Sequence, residues 1–163
     1  MIDLGGDYNK IRSEFPSENF TKVYTFNSAR KMMGTVINKN NGYRLHAKGA
    51  SEIVLGRCDF YLDNSGQPIE LDETKKKFLI KNVIEKMASR GLRTICVAYR
   101  DFIPSEDVNV DQNVEFYDTL DWSDESKIMS RLTCLCLVGI EDPVRAEVPN
   151  AIKKCQTSGV VIR

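Results

Sequence analysis

Met33-Gly34-Thr35-Val36-Ile37-Asn38-Lys39-Asn40-Asn41-Gly42-Tyr43-Arg44-Leu45-His46-Ala47-Lys48 decides the architecture of this chain. Two runs, residues 33–38 and 43–48, flank Asn40-Asn41-Gly42, and Asn and Gly tolerate the positive φ of a tight hairpin turn. The stretch predicts two antiparallel strands. Just upstream, residues 22–26 alternate as another strand, with Tyr24 and Phe26 on one face and Val23 and Thr25 on the other. Just downstream, residues 50–58 read as a short helix with Ile53 and Val54 inward. Residues 60–62 and 68–71 then read as strands around a turn at Asn64-Ser65-Gly66.

The outer parts of the chain follow from the same patterns. Residues 7–15 predict a short helical piece ended by Pro16. The longest helix is expected over residues 73–90, capped by Asp72, stopped by Gly91, with Ile80, Val83, Ile84 and Met87 as its buried stripe. Residues 92–99 and 132–140 are nearly continuous apolar runs, the pattern of central strands covered on both faces. One amphipathic helix over residues 122–131, anchored by Trp122, Ile128 and Met129, closes the segment between them. Glu141-Asp142-Pro143 reads as a boundary. Pro149 suits the first turn of a helix ending at Gly159, and residues 160–162 start another strand. Hairpins with interspersed helices give an α+β domain over residues 1–140, built on a mixed, mainly antiparallel twisted sheet with flanking helices. Residues 141–163 have an α/β rhythm.

Composition narrows the function classes. The 163 residues are 42% apolar, enough to bury a core, and 23 basic residues balance 23 acidic ones. That balance gives no reason to expect nucleic acid or an anionic membrane as partner of the whole surface. It is uneven, however: residues 101–131 carry nine acidic side chains against Lys127 and Arg131, a local −7 that leaves +7 elsewhere. A locally basic cleft fits on such a molecule. Five cysteines form no Cys-x-x-Cys pair and read as reduced, buried thiols in a cytosolic setting, with Cys134 and Cys136 on one side of a strand. No apolar run approaches the roughly 20 residues of a membrane span, and no signal peptide opens the chain. The piece reads as soluble, without direct membrane insertion.

Few residues suggest catalysis. His46 is the single histidine, so a histidine-rich metal site or a Ser-His-Asp triad has little to build with, and His46 reads as a partly exposed structural residue. The acidic stretch lacks the Asp-x-Asp-x-Asp-Gly rhythm of a calcium loop and reads as a solvated surface loop. More informative are Phe26, Lys31, Lys48 with Gly49, and Arg93. Each sits near a strand end, Gly49 permits close approach to the backbone, and Arg93 opens an apolar strand. An adenine needs an aromatic face, and a triphosphate needs cations such as Lys48 and Arg93. The same residues also fit a plainer reading, with Phe26 in the core and the cations on the surface.

Phe26-Asn27-Ser28-Ala29-Arg30-Lys31-Met32-Met33 and Lys48-Gly49-Ala50-Ser51-Glu52 closely resemble the Phe-Ser-x-x-Arg-Lys-x-Met and Lys-Gly-Ala-Pro-Glu signatures of P-type ATPase nucleotide-binding domains. Gly91-Leu92-Arg93-Thr94-Ile95 and Asp142-Pro143-Val144-Arg145 follow in the family's order, so the likeness covers nearly the whole chain. Ser51, where most relatives have proline, and the run from Cys134 to Arg145 are most similar to the plasma-membrane calcium-transporting pumps. The resemblance implies that Phe26 stacks on adenine, Lys31 lines the adenine pocket, Lys48 and Gly49 form its floor, and Arg93 reaches toward the phosphates. It implies ATP as ligand, with magnesium in the intact pump, and as partner a phosphorylation domain of the same pump, whose beginning is residues 141–163. It places the piece as a cytosolic domain of a plasma-membrane protein that transports calcium.

Departures from the pattern qualify those expectations. The family's Asp-Lys-Thr-Gly-Thr phosphorylation motif and its later Thr-Gly-Asp loop do not occur in this sequence. The Thr-Glu segment that helps hold adenine in relatives does not precede Met1, and Ser28 stands where some related calcium pumps carry an arginine. The chain is therefore expected to bind ATP weakly and to hydrolyse none. A different reading is a regulatory or interaction module that has lost nucleotide binding and uses its acidic 101–131 segment to hold a basic partner. A self-contained kinase or phosphatase needs a catalytic aspartate in a recognisable loop and a magnesium site, and the sequence offers neither clearly.

Overall fold

A computed structural model of the chain describes residues 6–39, 42–104, 114–117 and 120–162. The hairpin pairs as its sequence predicts: β2 (Met32–Lys39) runs antiparallel to β3 (Gly42–Ala50), with Lys39 opposite Gly42. Asn40 and Asn41 of the expected turn lie outside the described residues, as do residues 105–113, 118 and 119 of the acidic segment. Upstream, α1 (Tyr8–Glu14) is capped by the Asp7 carboxylate, and β1 (Lys22–Asn27) pairs antiparallel with β2. Downstream come α2 (Ser51–Gly56), β4 (Cys58–Leu62) and β5 (Pro68–Glu70).

The expected long helix forms with one irregularity. α3 (Glu73–Leu79), capped by Asp72 through the Lys75 amide, passes through a π-helical turn (Ile80–Ile84) into α4 (Glu85–Ala88). Gly91 stops it at φ 79°. Ile84 is buried, and Ile80, Val83 and Met87 are half-buried. β6 (Arg93–Pro104) follows, then β7 (Val114–Tyr117), the single turn α5 (Glu125–Ile128), β8 (Leu132–Ile140) and α6 (Val148–Thr157).

These strands make one eight-stranded sheet in the order β1-β2-β3-β6-β8-β4-β5, with β7 also on β6. Pairing is antiparallel except for β4 with β8 and β6 with β7, so the α+β, mainly antiparallel class holds. One face carries the core: Val36, Leu45, Ala98 and Phe102 are buried there together with Val54 and Leu55 of α2, Ile84, and Ile128 and Met129. Gly34 makes room for this packing, because a Cβ there would lie 2.7 Å from the Met129 methyl and 2.9 Å from Leu45. No helix among the described residues is long and apolar enough to cross a membrane.

Several local expectations need correction. In α2 the buried pair is Val54 and Leu55, and Ile53 is exposed, because a helix this short presents one narrow face to the sheet. The expected helix over residues 122–131 is reduced to α5, although Ile128 and Met129 are buried and Trp122 packs on the core. β8 is not covered on both faces: its outer half leaves Leu135, Val138 and Ile140 exposed. Cys134 and Cys136 part company as well. The β6–β8 register runs Val97↔Cys136 and then Ala98↔Cys134, so Leu135 is an extra residue, a bulge. Cys134 is therefore buried beside Cys96 (Sγ–Sγ 3.7 Å) while Cys136 is exposed and Cys155 only half-buried. Residues 160–162 form no strand; their backbones find no neighbouring strand to pair with among the described residues.

Candidate nucleotide site

The β1–β2 connection is shaped by its own side chains. Asn27 Oδ1 accepts hydrogen bonds from the amides of Ala29 (2.8 Å) and Arg30 (3.4 Å), and the Lys31 amide donates to the Asn27 carbonyl (2.7 Å). Such an Asx turn is what asparagine at the end of a strand favours. The chain then reverses through Lys31, which adopts φ 54°, a left-handed conformation that costs a non-glycine residue about 1 kcal/mol. The β1–β2 register shifts between Tyr24 and Asn27. That shift separates two residues that alternation alone puts on one face: Tyr24 is buried, whereas Phe26 is 63% exposed.

The hairpin register brings the next two residues to this turn. Met33 pairs with Lys48 and Met32 with Gly49, and the Ala50 amide donates to the Lys31 carbonyl (2.9 Å). Gly49 is needed here because a Cβ would lie 2.4 Å from the Lys31 carbonyl oxygen and 2.5 Å from Met32 Cβ. The close approach that glycine suggests in the sequence is thus the backbone of the neighbouring strand. On the other side, β3 pairs with β6 through Gly49↔Cys96 and Ala50↔Ile95, so the first residues of β6 reach the same place.

The result is one open cavity of about 580 Å³ that gathers Phe26, Lys31, Lys48, Gly49 and Arg93. All five residues singled out in the sequence line it. Its remaining walls are Ser28, Met33, Ala50, Thr94 and Ile95. Met33 and Ile95, the apolar contributors, are half-buried strand residues that carry no local mark separating them from other core positions. Their place in the site follows only from strand register. An exposed aromatic ring on an apolar wall, facing three cationic side chains, can take a planar base at one end and an anion at the other.

Arg93 is mostly exposed and its Nη2 lies 3.4 Å from Asp142 Oδ2. The opposite face of the β1–β2 turn borders a second cavity of about 680 Å³, which shares Phe26 and Ser28 but is otherwise lined by residues such as Lys22, Arg30, Trp122 and Glu125. His46 lines neither cavity. Its side chain is exposed, and partial desolvation, then the nearby Arg44, lowers its pKa. Among the described residues no set of three or more His, Cys, Asp or Glu converges in a way that could hold a metal ion.

The family model described as the P-type ATPase cytoplasmic domain N matches residues 1–147. Over its whole length the chain is 49% identical to plasma membrane calcium-transporting ATPase 2 of Oreochromis mossambicus and 48% identical to plasma membrane calcium-transporting ATPase 4 of Bos taurus. It is 47% identical to plasma membrane calcium-transporting ATPase 1 of Gallus gallus. The chain spans only 14%, 12% and 13% of the lengths of these three relatives.

Proposed function

The chain belongs to the P-type ATPase cytoplasmic domain N family, and on that footing we propose that it is the ATP-binding module of a calcium-transporting pump. The observation that carries this reading is the convergence of Phe26, Lys31, Lys48, Gly49 and Arg93 on one cavity. Phe26 stacks on adenine, an interaction worth about 1–3 kcal/mol for a base on an aromatic side chain. Met33 and Ile95 extend the apolar wall beside it. Lys31 lines the base, Lys48 and Gly49 form the floor, and Arg93 meets the phosphates, where a guanidinium suits bidentate contact. Magnesium would arrive with the nucleotide, since this ion is commonly held through substrate phosphates and a few carboxylates.

In this reading the module presents the γ-phosphate to an aspartate on a phosphorylation domain, and the chain alone turns over no ATP because its sequence contains no Asp-Lys-Thr-Gly-Thr motif. Residues 141–163 are the hinge and the beginning of that second domain. The absence of any buried residue in α6, which begins just past the family match over residues 1–147, supports a division near this point. The pump so assembled sits in the plasma membrane with this module on the cytosolic side.

Calorimetric titration of the folded chain with ATP tests the proposal. The expected Kd lies in the high micromolar to millimolar range, about −4 to −6 kcal/mol. No binding at millimolar ATP would remove the ligand from the reading. Turnover above buffer, abolished by Phe26→Ala, would overturn the claim that the chain does not hydrolyse ATP.

A further inference from the structure

Arg30 lies inside the β1–β2 turn with its side chain only 11% exposed. Its Nε donates to the Met32 carbonyl at 3.0 Å, its Nη2 donates to the Thr25 carbonyl, and its Nη1 is ion-paired with Glu125 Oε1. The two carbonyls bracket the turn: Thr25 precedes Phe26, and Met32 follows Lys31. One guanidinium therefore ties together both ends of the segment that carries two of the five cavity residues. Backbone bonds hold Lys31 itself at φ 54°, its amide donating to Asn27 and its carbonyl accepting from Ala50; Arg30 adds the tie that spans the turn from Thr25 to Met32.

Glu125 is itself firmly placed. α5 is capped by the Asp124 carboxylate, which accepts from the Lys127 amide (3.1 Å). The Tyr24 hydroxyl donates to the Trp122 carbonyl (2.8 Å), and Arg100 Nη1 donates to the carbonyls of Lys127 (2.8 Å) and Ser130 (2.9 Å). These bonds fix the segment on both sides of Glu125 to strands β1 and β6. A carboxylate on an anchored segment thus orients a cation, which in turn orients the turn.

We infer that Arg30 is a positioning residue for nucleotide binding, holding Phe26 and Lys31 opposite Lys48 and Arg93, with Glu125 as its orienting partner. Arg30 need touch no part of the ligand: it lines the neighbouring cavity and not the one that gathers the five residues. The three bonds leave from three separate nitrogens of one plane, a span that the single nitrogen of an ammonium does not have. The inference rests on the ATP-binding reading. It also makes the 120–131 segment a support of the site, despite its acidic character.

The test compares Arg30→Met, Arg30→Lys and Glu125→Gln with the wild type. Each is titrated with ATP and with adenosine, alongside thermal melting and amide NMR spectra. Adenosine isolates the base end of the site, where Phe26 and Lys31 lie. Misplacing them should raise Kd by about tenfold for both ligands in Arg30→Met and about threefold in Glu125→Gln, with Arg30→Lys between. Amide shifts should move at residues 25–32 and stay unchanged around Arg93, a signature that general destabilisation does not give. Should Arg30→Met fail to fold, Glu125→Gln decides, since it keeps the two carbonyl bonds of Arg30. Unchanged affinity for both ligands in folded variants overturns the inference while ATP binding stands. Wild-type protein that binds neither ligand overturns the ATP-binding reading and the inference with it.

Discussion

Arg93, at the start of β6, is ion-paired across the sheet with Asp142, just beyond the end of β8, at 3.4 Å from Nη2 to Oδ2. Register explains the meeting: Arg93 pairs with Ile140, so the chain leaving β8 passes beside the cation. In the proposed function the same guanidinium receives nucleotide phosphates. Asp142 and a phosphate then compete for one cation.

Asp142→Asn should therefore tighten ATP binding by about twofold and leave adenosine binding unchanged. Both partners are largely exposed, so the effect should shrink as salt rises from about 0.05 to 0.5 M. Titrations with both ligands at two salt concentrations give the answer. An equal change for adenosine would place the effect elsewhere.

Gly49→Ala sets a methyl 2.4 Å from the Lys31 carbonyl oxygen and 2.5 Å from Met32 Cβ. Neither neighbour is the far end of a flexible side chain, so strands β2 and β3 must separate. Overpacking of this kind costs about 1–3 kcal/mol, readable as a lower denaturation midpoint, and the displaced Lys31 should weaken ATP binding in the same variant. Wild-type stability in Gly49→Ala would contradict the close strand approach.

Tyr24 gives a pH dependence with a defined sign. Burial first, and then the carboxylates of Glu125, Asp121 and Asp124, push its hydroxyl pKa from 10.0 up to about 12. Below pH 10 the phenol is protonated in both folded and unfolded chains, and its contribution is fully present. Between pH 10 and 12 the unfolded chain releases the proton while the folded chain keeps it, so stability falls as pH rises. Tyr24→Phe should cost about 1 kcal/mol at pH 7, from the lost bond to Trp122, and should flatten the alkaline decline. Equal slopes in both proteins above pH 10 would count against this role.

The parts of the fold legible in the sequence are those set by local chemistry. Asn40-Asn41-Gly42 marks the hairpin without help from distant residues, and Asp72 and Gly91 mark the ends of the helical run. The five candidate residues can be singled out in the sequence, but their types fit a core aromatic and surface cations equally well; only the resemblance to P-type ATPase nucleotide-binding domains ties them to one ligand, and register brings them to one cavity. What stayed hidden depends on pairing across the chain. The bulge at Leu135 exists only against β6, and it sends Cys136 away from Cys134 although both occupy one alternation pattern. Met33 and Ile95 look like any core residue until register places them beside Phe26. Arg30 and Glu125 lie 95 positions apart, and no local signal connects them.

Amide NMR titration of the chain with ATP, repeated on Phe26→Ala, tests the central claim most directly. The account predicts shifts clustered at Phe26, Lys31, Lys48, Gly49 and Arg93, saturating near millimolar ATP and lost in the variant while its spectrum stays well dispersed. Shifts that persist unchanged in folded Phe26→Ala, or that map away from this cavity, would contradict it.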